Sequence, residues 1–517
     1  MQELTRADFE HLGDEVVNSP LFNADLAPVP DAKRNWTTYN FAALWISMAH
    51  CIPTYTLAGG LIAQGMNWWQ ALLTIGLGNL IVLVPILLNA HPGTKYGIPF
   101  PVLARASFGT VGANAPAVVR GLVACGWFGI NAFIGGEAIH TFILTFWPSF
   151  AQVGGDAAFF GLPMSHFITF LLFWVLHILI LYRGMEAVRV FENWAAPIVL
   201  VLAGLLLVWV IGRADGVGPL LSQPSKFADA GAFWKVFVPS LTAMVGFWAT
   251  LSLNIPDFTR YGRGQREQML GQTLGLPTTM IAFSAMALVI TSASAAVLRG
   301  ADIGQLWNPE FLLGQMTSSV APAGLDAPLI ASAATRAIVA VVAVFGIVIA
   351  TLSVNIAANL VSPANDFANV APKFISFKTG GLITCVLGIA CLPWKLMADP
   401  NTYINGWLTG VSALLGPIAG IMIADYWIVR KRVLDVRDLY LPNGTCAGVN
   451  PVALIALALG VLPNMPGFLW SIGGLDTLYA VWGELYVYAW FTGTLIAGVV
   501  YTLGMRLSPR ATPASAA

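Results

Sequence analysis

Trp127 and Asn131 stand four residues apart in the apolar stretch Cys125-Gly126-Trp127-Phe128-Gly129-Ile130-Asn131, and so share one face of a helix. Together they offer an aromatic plane for stacking and an amide with donors and an acceptor. Asn355 and Asn359 repeat the spacing in Ala350-Thr351-Leu352-Ser353-Val354-Asn355-Ile356-Ala357-Ala358-Asn359. A carboxamide inside a membrane must find partners, so each faces other helices or a cavity. Two readings stand for each amide: a hydrogen bond between helices, or a ligand contact. For Trp127 the alternative to stacking is ordinary core packing. A third pattern occurs twice, 203 positions apart: Leu44-Trp45, six residues, Ile52-Pro53-Thr54-Tyr55-Thr56, and Phe247-Trp248, six residues, Ile255-Pro256-Asp257-Phe258-Thr259. Proline inside a membrane-length helix removes a donor and breaks the helix. A broken helix in lipid survives only where protein or a cavity surrounds it. Indoles and amides without fixed charge suit a flat, neutral, hydrogen-bonding ring. Stacking contributes ~1–3 kcal/mol per ring, and a lost buried hydrogen bond costs ~1–3 kcal/mol. Two of each reach micromolar affinity, about 8 kcal/mol.

The elements that must position these groups are membrane spans. The 517 residues are 57% hydrophobic and 10% charged, against about 25% charged in soluble domains. The chain therefore reads as an all-α polytopic membrane protein, with the lipid bilayer as its solvent. Twelve spans are expected at roughly 39–63, 68–91, 118–147, 162–182, 194–212, 237–257, 271–298, 332–357, 379–397, 404–428, 451–468 and 482–505. With the N-terminus inside, nineteen Lys and Arg fall on inner segments and six on outer ones. The positive-inside rule then places both termini in the cytoplasm. The first copy of the repeat lies in span 1, running outward, and the second in span 6, running inward. Spans 1–5 and 6–10 form an inverted five-plus-five repeat, with spans 11 and 12 added. This is the arrangement of the leucine-transporter-like fold, in which broken helices near the midplane form the binding site. In that fold the broken spans 1 and 6 lie against spans 3 and 8, so Trp127, Trp248 and the asparagines line one chamber.

The expected organisation is a cytoplasmic tail over 1–38, a first repeat over 39–212 broken near Ile52-Pro53, and an extracellular loop over 213–236. A second repeat over 237–428, broken near Ile255-Pro256, follows, then a cytoplasmic loop over 429–450, spans 11 and 12 over 451–505, and a cytoplasmic tail over 506–517. The first ~38 residues are polar and lack the apolar core of a signal peptide.

Other polar residues have a bland reading beside a functional one. Glu137 follows Asn131 by six residues, roughly 240° around the helix, and so points away from the chamber. It is a structural partner for another helix or a proton carrier. His50 precedes the span 1 break and is either a packed neutral imidazole or a second proton carrier. Asp257 and Arg260 follow the span 6 break, where a cap or gate ion pair is the default. The five cysteines lack metal-ligand spacing. There is no nucleophile elbow, P-loop or glycine-rich nucleotide loop, so neither an enzyme nor an ATP-driven pump is expected. No nucleic acid, resident cofactor or obligatory protein partner is implied. Energy comes from an ion gradient or from the ligand's own: one charge crossing ~100 mV supplies ~2.3 kcal/mol, roughly fifty-fold accumulation.

Several longer motifs resemble the nucleobase–cation symporters of the first type, which carry purines, pyrimidines, hydantoins and allantoin. They are Gly97-Ile98-Pro99-Phe100-Pro101-Val102 with Arg105-Ala106-Ser107-Phe108-Gly109; Asn355 through Ala364; Phe377-Lys378-Thr379-Gly380; Leu415 through Tyr426 with Arg430-Lys431-Arg432; and Asp438-Leu439-Tyr440. The resemblance runs from Trp36 to the end of span 12. It implies a secondary active importer of a neutral nitrogen heterocycle, such as allantoin, hydantoin or uracil, in a bacterial inner membrane. In a sodium-coupled hydantoin permease of this family the ligand lies between two tryptophans, which match Trp127 and Trp248. Its amides fall at Asn131 and Asn359, a further amide position is Cys51, and a glycine beside the second tryptophan is Phe247. The matching sodium-site positions are Ser47, His50, Ala350, Ser353 and Val354. Val354 supplies no side-chain oxygen, and a hard cation needs oxygen ligands. The degenerate set implies proton coupling, with His50 or Glu137 as carrier. Sodium-coupled symport of cytosine, purine or thiamine, passive facilitation, and an amino acid carrier of the same fold are the alternatives.

Overall fold

The membrane-length apolar runs fold as helices, because only helices and closed barrels satisfy every backbone group in lipid. The structure is a computed structural model that describes residues 9, 12–397, 406–473 and 482–508. Span 1 is α1 (Thr38–Ala49) and α2 (Ile52–Ala63). Span 2 is α3 (Trp68–Tyr96), followed by a short α4 (Phe100–Phe108). Spans 3, 4 and 5 are α5 (Asn114–Phe146), α6 (Met164–Tyr182) and α7 (Gly184–Ala214). Span 6 is divided into α8 (Ala230–Phe247), α9 (Ala249–Asn254) and α10 (Pro256–Thr259), and span 7 is α11 (Gln265–Val297). Span 8 is α12 (Ala333–Val354), a π-helical turn (Asn355–Leu360) and α13 (Val361–Val370). Then come α14 (Phe377–Ala390), α15 (Thr409–Ile423), α16 (Pro451–Val461), α17 (Met465–Ser471) and α18 (Ala489–Leu507). Among the described residues nine helices are long and apolar enough to cross a membrane, or ten with the pair α1–α2, bent by 59°. The shorter α14 and the terminal α18 bring the spans to the expected twelve.

Local chemistry sets the ends. Asn67 and Gln70 form a capping box at the start of α3, and Gly97 closes it with φ of 70°, a left-handed conformation open to glycine. Asp229 accepts from the Ala232 amide at the start of α8, and Ser376 from the Thr379 amide at the start of α14.

The packing sorts eight of the first nine spans into two groups, with span 5 (α7) touching both. α1 lies along α11, and α3 packs on α8 and α11, joining spans 1, 2, 6 and 7. α5 packs on α6, α12, α13 and α14, joining spans 3, 4, 8 and 9. Corresponding members of the two repeats thus end up together. α15 packs with α18 beside them. Glycine permits the closest approaches. A Cβ at Gly126 would strike the Trp407 ring, and one at Gly129 would strike the Gly388 carbonyl.

Several expected boundaries shift. The span 6 break was expected at Ile255-Pro256. There α9 ends at Asn254 and α10 opens at Pro256, although Ile255 keeps helical angles (φ −52°, ψ −28°), and a further interruption lies at Trp248 (φ −107°, ψ 13°), where α8 ends. Proline is tolerated at a helix start, where no donor is missed, so Pro53 and Pro256 open segments instead of lying in the gaps. α8 begins within the expected 213–236 loop because Lys235 sits on its exposed side. Span 8 was expected to end at 357, but its helical path continues to Val370. The polar residues there are paired inside the protein: Asp366 with Arg120 at 2.8 Å, and Asn369 with Arg105 at 2.7 Å. The described part of the 1–38 segment packs against the protein: Phe9, Leu12, Val16, Leu26, Ala27 and Val29 are buried. Residues 404–405 of span 10 and 509–517 of the C-terminal tail lie outside the described residues.

Arg120 and Asp366 form an ion pair with both side chains at 0% exposure. Removing one partner of such a pair leaves an uncompensated buried charge, costing about 3–5 kcal/mol, whereas an apolar pair of similar volume is close to neutral. Arg120→Ala is therefore expected to lower the melting temperature of the purified protein far more than the double variant Arg120→Met/Asp366→Leu. Equal losses would show that the pair does not stabilise the fold.

Candidate functional site

The two interrupted spans meet α5 and span 8 around one small cavity. At the first break His50 (φ −82°, ψ 70°) and Cys51 (φ −133°, ψ 159°) are non-helical. The cavity, about 30 Å³, is lined from this side by Met48, Cys51 and Pro53. The second break contributes Phe247, Trp248, Thr250 and Leu251, α5 contributes Trp127 and Asn131, and span 8 contributes Val354, Ala358 and Asn359. Six of the seven residues expected to touch a ligand are thus brought together. Among the described residues, no Asp, Glu, Lys, Arg or His lines the cavity.

The volume would hold one or two waters, because the aromatic walls touch. Trp127 meets Phe247 edge-on at 5.4 Å, and Phe247 meets Trp248 edge-on at 5.1 Å. Trp45 packs edge-on against Trp248 at 5.1 Å, and Trp407 against Trp127 at 5.9 Å. The expected pair of facing indoles therefore has Phe247 wedged between its members. Trp45 and Trp407 buttress the pair from outside; neither was expected from the sequence, since their contacts are purely tertiary.

The amides divide their roles. Asn131 donates to the Trp127 carbonyl at 3.1 Å, and its own oxygen is buried without a partner. The indole N–H of Trp248 is likewise buried without one. Orphaned buried polar atoms are rare and costly, and these two belong to the cavity wall. Asn359 reaches the cavity and donates to Asn355 at 3.0 Å. Asn355 is corrected: it lies behind the wall, donating to the Phe128 carbonyl at 3.1 Å with its amide nitrogen 3.0 Å from His177. The i, i+4 spacing suggested a shared face, but a π-helical turn runs from Asn355 to Leu360 and breaks the α register. His177 was missed because a lone histidine in an apolar run carries no spacing signal.

The expected cation positions form a thinner cluster. Ser47 and Ser353 touch through their hydroxyls at 2.5 Å, linking α1 to α12. Val354 turns into the cavity wall and has no side-chain oxygen, while Ala350 would be called on only for its backbone carbonyl. His50 is buried, with Nδ1 2.7 Å from the Ile46 carbonyl and its ring 4.4 Å from Phe283. Glu137 pairs with His166 on α6 at 2.7 Å, and His166 stacks on His140 at 3.8 Å. Asp257 caps α4, accepting from the Phe100 amide at 2.9 Å, while Arg260 donates to the Asp25 carbonyl at 3.0 Å. Among the described residues no His, Cys, Asp or Glu group is arranged to hold a metal ion.

The motif Asn355 through Ala364 contributes Ala358 and Asn359 to the cavity wall, whereas others meet around α4. Arg105 donates to Asn369 and to the Leu439 carbonyl, Ser107 to Asp425, and Arg430 to Asp425 and the Ala106 carbonyl.

Residues 28–493 match the family model described as permease for cytosine/purines, uracil, thiamine and allantoin. An allantoin permease of Bacillus subtilis is 41% identical over 495 residues, covering 95% of this chain and 94% of the relative. A purine-uracil permease of Arabidopsis thaliana is 41% identical over 502 residues, covering 96% of this chain and 80% of the relative. The solved structure of Mhp1, a nucleobase-cation-symport-1 transporter in a closed conformation with bromovinylhydantoin bound, matches with a TM-score of 0.69 at 23% identity. It covers 94% of this chain and 96% of its own, and it supports the leucine-transporter-like fold. A chain matched over nearly its whole length by these permeases is a carrier and not an enzyme: it belongs to the nucleobase–cation symporters of the first type, secondary transporters of nucleobase-type compounds.

Proposed function

We propose that the protein imports a neutral nitrogen heterocycle, such as allantoin, hydantoin or uracil, across a bacterial cytoplasmic membrane by alternating access. Both termini lie in the cytoplasm, in keeping with the excess of Lys and Arg on the inner segments. The observation that carries the reading is the uncharged chamber: two indoles, two amides and buried polar atoms without partners, at the junction of two broken spans. The name of the Bacillus subtilis relative, an allantoin permease, points the same way. The test is uptake of labelled allantoin, hydantoin, uracil, cytosine and thiamine by cells expressing the protein, each with unlabelled competitors. Free amino acids as the effective competitors would sink the proposal.

Coupling to protons is the second part of the proposal. Of the matching positions Ser47, His50 and Ala350 would offer backbone carbonyls and Ser353 a hydroxyl, which touches that of Ser47, while Val354 stands where the second span 8 hydroxyl is needed, and hard cations demand oxygen ligands. Glu137, paired with His166, and His50 are the candidate carriers. Accumulation is expected to collapse with an uncoupler and to ignore a sodium gradient at fixed pH in membrane vesicles. Strong stimulation by sodium refutes proton coupling; downhill uptake alone, insensitive to uncoupler, supports a passive facilitator.

Trp127→Ala and Trp248→Ala each remove a stacking face contributing ~1–3 kcal/mol. Ligand affinity is expected to fall about ten- to a hundredfold while the protein still reaches the membrane. Normal uptake in either variant would remove that tryptophan from the site.

Phe247 occupies the space between the two indoles. Phe247→Gly is expected to widen the chamber and admit hydantoins with an aryl substituent that the unaltered protein excludes. Competition by an aryl hydantoin series checks this, and unchanged exclusion would mean that another wall sets the size limit.

A further inference from the structure

Behind the chamber a chain of three side chains ends on two backbone carbonyls. His177, fully buried on α6, has Nδ1 3.0 Å from the Phe173 carbonyl oxygen and Nε2 3.0 Å from Nδ2 of Asn355. Asn355 Nδ2 also lies 3.1 Å from the Phe128 carbonyl, and Asn355 Oδ1 lies 3.0 Å from Nδ2 of Asn359. Asn359 is the member of the chain that lines the chamber.

The direction of every bond follows from the two carbonyl ends. A carbonyl oxygen only accepts, so the imidazole nitrogen facing Phe173 carries the proton. In neutral imidazole the other nitrogen is then an acceptor. The Asn355 atom between that acceptor and the Phe128 carbonyl must be the amide nitrogen, with one proton for each. Its oxygen therefore faces Asn359, and only the nitrogen of Asn359 can meet it. This leaves the Asn359 oxygen without a donor, and the second proton of its nitrogen without an acceptor. Asn131 is oriented in the same sense, its nitrogen committed to the Trp127 carbonyl and its oxygen buried without a partner.

We infer that His177 and Asn355 are positioning residues that fix Asn359 as a hydrogen-bond acceptor. With Asn131 in the same polarity, the chamber selects a ligand presenting ring N–H groups. Cyclic ureides and imides carry an N–H between two carbonyls, whereas cytosine keeps N1–H and an exocyclic amine but has a bare ring nitrogen at N3, one ring N–H fewer. The inference rests on the proposed transport of a heterocycle.

The experiment is competition for uptake by matched pairs: uracil against cytosine, and hydantoin against 3-methylhydantoin. The wild-type protein is expected to favour the N–H member of each pair by about ten- to a hundredfold, the effect of one unpaired buried polar group. His177→Leu and Asn355→Leu release Asn359 and are expected to bring the uracil:cytosine ratio to within a few-fold, at membrane levels checked for each variant. His177→Gln supplies an amide oxygen that accepts from Asn355 and is expected to restore the ratio. An unchanged ratio in the leucine variants overturns the positioning role while leaving transport intact. A wild-type preference for cytosine overturns the polarity whether or not the variants fold. A wild-type protein that carries no heterocycle removes the transport reading itself, and this one with it.

Discussion

A helix that stops inside a membrane leaves backbone groups without intrahelical partners, and lipid supplies none. That constraint organises this protein. Two helices stop, one at His50-Cys51 and the other at Trp248. Both ends must be enclosed by protein, and α5 and span 8 enclose them. The enclosure needs close approach, which the glycines at 126 and 129 allow against Trp407 and Gly388. It also needs polar side chains at depth, and Asn131, Asn355 and Asn359 stand there. The chamber is therefore a consequence of the breaks as much as a feature added to them.

The two packing groups give the chamber its mechanical meaning. Trp127 and Asn359 belong to the group of spans 3, 4, 8 and 9, whereas Trp248, Phe247 and Cys51 belong to the group of spans 1, 2, 6 and 7. Within the first group the contacts are strong: the buried Arg120–Asp366 pair and the His177–Asn355–Asn359 chain. Across the seam they are lighter: the Ser47–Ser353 contact, a hydrogen bond from Asn254 to Ser362, and the edge-on meeting of Trp127 with Phe247. At the end that carries the N-terminal segment, Asp25 joins both groups, its carbonyl taking a bond from Arg260 and its carboxylate one from the Phe377 amide.

Much of this was legible in the residues. The i, i+4 pairs and the repeated Trp-x6-Ile-Pro pattern located the chamber wall, because helix periodicity and broken spans follow from local chemistry. The rest depended on tertiary context. Proline marked the start of the second half of span 1 and of the last segment of span 6, while Trp248, where α8 ends, carries no such mark. Asn355 shared a spacing with Asn359 but not a role, since a π-turn separates them. His177 is defined only by its Asn355 partner within its own group, and the wedge of Phe247 only by Trp127, which faces it across the seam. Of the motifs that resemble the family, those around Arg105, Asp425 and Arg430 build a junction at α4, while the stretch from Asn355 to Ala364 supplies Ala358 and Asn359 to the chamber wall.

The balance of forces at the seam fits a carrier. Edge-on aromatic contacts contribute about 0.5–1.5 kcal/mol beyond burial, and neutral hydrogen bonds about 0.5–1.5 kcal/mol net. A handful of such contacts is the same order as the ~2.3 kcal/mol of one charge crossing ~100 mV. A seam sealed by the buried ion pair would resist that drive, and the pair instead lies within one group. A flat ring that entered between Trp127 and Trp248 would replace the two edge contacts of Phe247 with two faces, and would supply partners for the Asn131 oxygen and the Trp248 N–H. Those orphaned groups cost free energy only while the chamber is closed on itself. The ligand thus shifts the balance most where the two groups meet, which is where alternating access requires a differential contact.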